Sequence, residues 1–184
     1  MQKDEQFKEA YVNFMDEYLQ LGHMRPLTAR EIKDPVGMSN YIPHQGIWQR
    51  ADNAMKFRVV FDASRKTTSG RSLNDVLHSG PKLQNSLAAV ISRWRRHKVA
   101  YCADIKMMVR QILVRQSDTH LQRVIWSPDQ DQSPKHFALL TVTYGETCAP
   151  YLALRTLQQL CKDEGGAFPE AVKSIMQDLY VSTS

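Results

Sequence analysis

Apolar residues near the start of the chain recur at three- and four-residue steps. In residues 6–22, Phe7, Tyr11, Phe14, Tyr18 and Leu21 share one face of an amphipathic helix that Gly22 closes. This aromatic stripe reads as core packing rather than a platform for stacked bases. A loop with Pro26, Pro35 and Gly37 follows. The run KFRVVFDAS is then rich in β-branched and aromatic residues and predicts a strand, with Lys56 and Arg58 at its head. The hydroxyl- and glycine-containing stretch 65–72 predicts a mobile loop.

A turn-rich piece leads to a helix expected over residues 83–96, with Leu83, Leu87, Val90, Ile91 and Trp94 as its apolar face. VAYCADI is nearly continuous in apolar character and predicts a buried strand. KMMVRQILV reads as a turn or short helix. LQRVIW and FALLTVTYG predict two strands in a hairpin-like arrangement across a polar loop. Pro150 suits the first turn of a helix ended by Gly165 and Gly166, and PEAVKSIMQ is a second helical stretch leading into a strand-like Leu179, Tyr180 and Val181. Helices mixed with strands joined by short connections give an α+β class built on an antiparallel sheet.

Composition narrows the setting. The 184 residues suffice for a domain with a real core, and 42% apolar with 23% charged residues is globular rather than disordered. A net charge of +5 favours acidic partners such as nucleic acid. The basic run Arg93, Arg95, Arg96, His97 and Lys98 reads first as cations at the negative end of a helix, with a phosphate-contacting patch as the alternative. Cys102, Cys148 and Cys161 are far apart and odd in number, which argues against a disulfide framework or a zinc site. His44, His78 and the other histidines have no metal-ligand spacing and read as surface or packing residues. No apolar run approaches the roughly 20 residues of a membrane helix, and the first residues carry no signal-peptide pattern. An intracellular location, cytoplasmic or nuclear and not secreted, with no membrane partner, is the expectation.

One residue stands out chemically. Asp104 ends an apolar run, and burying an unpaired carboxylate costs several kcal/mol or forces its protonation. It must cap the next helix, pair with a cation such as Lys106 or Arg110, or serve a metal.

The order and spacing of several blocks bear on that choice. Residues 21–24 read LGHM and 41–44 YIPH; 58–64 read RVVFDAS, and 72–81 SLNDVLHSGP. The block from Ala103 to Ile112, LQRVIW at 121–126, and TVTYG through Pro150 complete the set. From about Tyr11 to its last residue the chain resembles the reverse transcriptases of BEL/Pao-class LTR retrotransposons. The resemblance implies a single region over residues 1–184, with right-hand polymerase fingers and palm intermixed in sequence, the thumb absent and the C-terminus truncated. It implies RNA or DNA template-primer and deoxynucleotides as partners, and magnesium as cofactor. No oligomeric state follows from it.

In that family two divalent cations activate the primer hydroxyl and stabilise the leaving pyrophosphate, held by one Asp on a strand and two on a Y-V-D-D turn. Asp104 matches the first, and Tyr180 and Val181 match the Y-V. Ser182 and Thr183 stand where the Asp pair belongs. Neutral alcohols are poor magnesium ligands without carboxylates beside them, and Asp178, read as lying on the same strand, is about 13 Å from position 182. The metal site is therefore expected to be incomplete, binding no magnesium productively, and the chain a catalytically inactive fragment of a polyprotein. Arg58, and less directly Lys56, match cations that contact the incoming triphosphate. Tyr144 and Gly145 match a segment lining the nucleotide site. Val109 occupies the position that excludes the ribose 2′ hydroxyl, where many relatives carry Tyr or Phe; its other reading is packing. Two alternatives stand beside the inactive fragment: an adopted nucleic-acid-binding module, and a truncated product with no biochemical role.

Overall fold

The computed structural model describes residues 2–33, 39–51, 54–129 and 131–181, with the side chains of 2–4 and 51 left aside. Residue contacts divide the chain into two compact units, each assembled from two separate stretches. Unit 1 comprises Met1–Leu77 and Leu113–Glu146; unit 2 comprises His78–Ile112 and Thr147–Ser184. Helices and small antiparallel sheets are mixed, so the chain is α+β.

Unit 1 opens with helix α1 (Gln2–Gln20), longer than the stripe predicts. Its C-terminus is a Schellman motif: the His23 N–H donates to the Tyr18 carbonyl at 2.9 Å and the Gly22 N–H to Leu19 at 3.1 Å. The motif needs a left-handed residue, and Gly22 supplies it at φ +69°. Ending the helix there turns Leu21 out to solvent, 50% exposed, so it leaves the apolar face assigned to it. Met15, at 0% exposure, and Tyr18 face the core instead, with Phe14 beside them.

Strands β1 (Met24–Pro26), β4 (Arg123–Trp126) and β5 (Lys135–Leu139) form an antiparallel sheet in the order β1-β5-β4. The registers set Met24 opposite Leu139 and Val124 opposite Phe137. The expected hairpin of LQRVIW and FALLTVTYG is present, though β5 stops at Leu139. Between β1 and the second sheet lies the short helix α2 (Ala29–Lys33). The second sheet is the hairpin β2 (His44–Ala51) and β3 (Ala54–Phe61), with Phe61 opposite His44. Phe57, Val59 and Phe61 alternate inward. Tyr18 stacks on Phe61 at 5.9 Å, and Met15, Met24, Ile42, Val124, Phe137 and Leu139 complete one apolar core.

His44 is a packing residue. Its Nε2 lies 3.1 Å from the Ile125 carbonyl, which only accepts, so Nε2 carries the proton and Nδ1 accepts from the Tyr11 hydroxyl. Burial pushes the His44 imidazole below its usual range and the Tyr11 phenol up to about 12, which keeps both neutral near pH 7.

A capping box starts α2. Thr28 N–H and Oγ1 donate to Glu31 Oε2 at 2.8 and 2.9 Å, and Arg25 forks onto the same carboxylate at 2.6 and 3.1 Å. The Arg25 guanidinium, followed by the Thr28 N–H, holds the Glu31 carboxyl down at about 2, against about 4.3 unfolded. A depressed carboxyl adds stability above its unfolded pKa and loses it as pH falls toward the folded value. The pair is about one-third exposed, so solvent screening limits the effect. Glu31→Gln should cost about 1 kcal/mol or less at pH 6, with the difference from wild type shrinking from about pH 4.5 to none near pH 2. Urea melts of both proteins across that range test the slope.

Unit 2 is helical. Helix α4 (Leu87–Trp94) is shorter than expected and begins after Ser86, while α5 (Ala149–Glu164) starts with Pro150 in its first turn as predicted. A one-turn helix, α3 (Leu73–Val76), belongs to unit 1 and is capped by Ser72 and Asp75. Helix α6 (Pro169–Asp178) packs on α4 and α5. Of the apolar face assigned to α4, Val90 is buried, whereas Leu87, Ile91 and Trp94 stay more than one-third exposed. No helix among the described residues is long and apolar enough to cross a membrane.

Candidate functional site

The cations predicted for β3 project from one surface. Lys56 and Arg58 are exposed and alternate with the inward Phe57 and Val59; Arg58 lies opposite Ile47 and Lys56 opposite Gln49. The same alternation that buries the aromatic face therefore presents two positive charges about 7 Å apart along the strand.

Gly145 is fixed against the far end of that strand. Its φ is +93°, and a Cβ there would lie 2.6 Å from the Phe61 carbonyl oxygen. Its own carbonyl accepts from Asn74 Nδ2 at 2.9 Å, the Asn74 side chain also reaches Ser64 Oγ at 2.9 Å, and the Asn74 N–H donates to the Ala63 carbonyl. Three segments of unit 1 are thereby tied at one point, three residues or about 10 Å beyond Arg58. Tyr144, half exposed, stands next to this point.

Beneath the turn lies a buried polar network that the sequence did not signal. Gln122 Nε2 donates to the carbonyls of Leu139 at 3.0 Å and Thr141 at 3.1 Å, and its Oε1 accepts from Thr143 Oγ1 at 3.2 Å. The Thr143 N–H donates to the buried Glu146 carboxylate at 3.3 Å. Thr141, Thr143 and Gln122 are each 5% exposed or less. The network holds the backbone on both sides of Tyr144 and Gly145.

Unit 2 carries Asp104 and Val109. Here the structure corrects the sequence reading. Residues 99–105 form no strand: Val99 is 64% exposed, Tyr101 90%, and Asp104 is exposed with them. No ladder pairs this segment with any strand among the described residues. Apolar character alone cannot hold a strand, because without a neighbour its backbone groups bond to water. Val109 is 4% exposed in a 3₁₀ turn (Met108–Gln111) that packs on α5, which is its packing reading.

Leu179, Tyr180 and Val181 also form no strand. Helix α6 runs to Asp178, and the Val181 N–H donates to Gln84 Oε1 at 3.2 Å. Asp178 is thus a helix-end residue, and its carboxylate accepts from Arg93 Nε at 2.7 Å while Arg93 also reaches the Gln177 carbonyl. Arg93, first of the basic run, is a structural clamp on α6. Ser182 and Thr183 lie outside the described residues.

Magnesium would need clustered carboxylates. Among the described residues no group of three or more His, Cys, Asp or Glu could hold a metal ion, and Asp178 is paired with Arg93. One exposed Asp104, with alcohols at the two positions after Val181, does not fit a two-magnesium centre.

In comparisons with known proteins, no family model and no curated protein matches the chain.

Proposed function

We propose that the chain is a reverse-transcriptase-like fingers-and-palm fragment from a retrotransposon polyprotein that no longer catalyses nucleotidyl transfer and retains a cationic surface for single-stranded nucleic acid. The observation that carries this reading lies in unit 1. Arg58 and Lys56 share the exposed face of β3, and the Tyr144–Gly145 turn, fixed to the end of that strand, supplies an exposed aromatic ring. Cations that meet phosphates and an aromatic that meets a base are the elements of sequence-tolerant single-strand binding. The ordered blocks of the family resemblance place these same residues at the nucleotide site of an active relative. The carboxylate count argues against chemistry: one Asp where three are needed leaves the charge of two dications uncompensated.

Primer extension with magnesium or manganese should give no templated product above background. Binding of single-stranded RNA should weaken linearly with log salt, with a slope of about −1.4 if Lys56 and Arg58 each meet one phosphate. Arg58→Ala should flatten the slope by about 0.7. Templated extension would sink the claim of inactivity, and a salt-independent or absent RNA signal would sink the binding surface. The second result leaves a product without a biochemical role as the reading.

A further inference from the structure

Arg123 occupies β4 with its side chain turned inward, 4% exposed, where LQRVIW places a cation in a strand. A guanidinium keeps its charge at any pH the fold survives. Nη1 donates to the Glu31 carbonyl at 3.0 Å, and the guanidinium carbon stands 6.0 Å from the Tyr41 ring centre. Nε is buried without a hydrogen-bond partner, and no carboxylate among the described residues pairs with Arg123. A buried cation compensated only by a carbonyl and a ring face costs several kcal/mol.

That charge lines a cavity of about 250 Å³ together with Arg25, Gln116, Ser117, His120 and Glu31. Glu31 is the one acid in the lining, and both its oxygens are committed to Arg25 and Thr28. Ser117 donates to Asp118 and is not available. The remaining donors come from β1, from the 3₁₀ helix Gln116–Leu121 and from β4. Donors converging from three directions suit a tetrahedral oxyanion better than a planar carboxylate. The volume is far above the roughly 30 Å³ of one water and below the range of about 300–1,000 Å³ typical of drug-sized ligands, so it fits a phosphate with a small appendage.

We propose that this cavity binds a phosphate group, with the Arg123 guanidinium as its charged anchor. The assignment uses none of the residues of the proposed nucleotide site. The group is carried either by a small phosphate monoester or by one link of an RNA backbone.

The test follows the Arg123 Nε–H resonance by NMR in the full chain labelled with ¹⁵N-arginine, identified by its loss in Arg123→Lys. Inorganic phosphate, uridine monophosphate, octauridylate and acetate are each titrated at constant ionic strength. The resonance should move saturably with phosphate and not with acetate. Glu31→Gln, by releasing the Arg25 fork, should tighten phosphate about threefold, and His120→Ala should weaken it about threefold. The gain in Glu31→Gln cannot arise from misfolding. Equal response to inorganic phosphate and uridine monophosphate supports a small monoester. Octauridylate acting at about tenfold lower concentration than the monophosphate, or acting alone, supports the RNA backbone. A resonance that no phosphate source moves, or that acetate moves as far, overturns the proposal. Arg58→Ala should leave the phosphate response unchanged, which separates this site from the RNA surface on β3.

Discussion

Gly145→Ala should destabilise unit 1 by about 3 kcal/mol or more, the largest loss expected from adding a single methyl group in this chain. Two independent terms add. At φ +93° an L-residue sits in a region that costs about 1–2 kcal/mol. The new Cβ would also meet the Phe61 carbonyl oxygen at 2.6 Å, well inside contact distance, and the obstacle is backbone rather than a flexible side-chain end. Relief requires moving the turn away from β3, which breaks the Asn74 hydrogen bond to the Gly145 carbonyl. Denaturant melts should show the lower midpoint. RNA affinity should fall as well, because Tyr144 moves with the turn. A midpoint within about 0.5 kcal/mol of wild type would mean that the turn is not seated on β3 as described.

The second large effect is at Gln122. Truncation to Ala removes an amide that joins the Leu139 and Thr141 carbonyls to the Thr143 hydroxyl and leaves all three partners buried. Each orphaned buried group costs about 1–3 kcal/mol, with some recovered by relaxation or an admitted water, so a net loss of about 3 kcal/mol is expected. Gln122→Glu should be worse at pH 7, since a carboxylate would face two carbonyl oxygens that offer it no proton. It should recover as pH falls and the new carboxyl protonates, because a protonated acid can again donate. The comparison at pH 7 and pH 4.5 separates loss of the network from simple loss of volume. Equal stability of the two variants at both values would contradict the donor geometry at Gln122.

Local signals carried most of the helices and the two hairpins. The α1 stripe, the inward alternation of Phe57, Val59 and Phe61, Pro150 at the start of α5 and Gly22 at the end of α1 depend on short-range rules that any neighbourhood enforces. Where the reading of VAYCADI and of Leu179–Val181 as strands departs from the structure, the missing information is the neighbour. A strand is a pairwise object, and apolar residues attract packing without specifying a hydrogen-bonding partner. The reading of Asp178 failed for a related reason: its face on a strand lost meaning once the residue ended a helix and met Arg93.

The candidate residues divide along the same line. The sequence by itself determined which charges exist: Arg58 and Lys56 on alternate positions of a strand, one Asp at position 104, and alcohols at 182 and 183 in place of carboxylates. Covalent chemistry cannot be supplied by folding, so the shortage of metal ligands was already legible. Only the tertiary structure decided which polar groups are buried. Arg123 and Gln122 read as ordinary solvent-facing residues in LQRVIW, yet they turn inward while Ile125 turns out, because the β1–β5–β4 sheet, α2 and Tyr41 close over that face. Burial is a property of the surroundings, and the surroundings of β4 come from residues about 80 to 90 positions earlier in the chain.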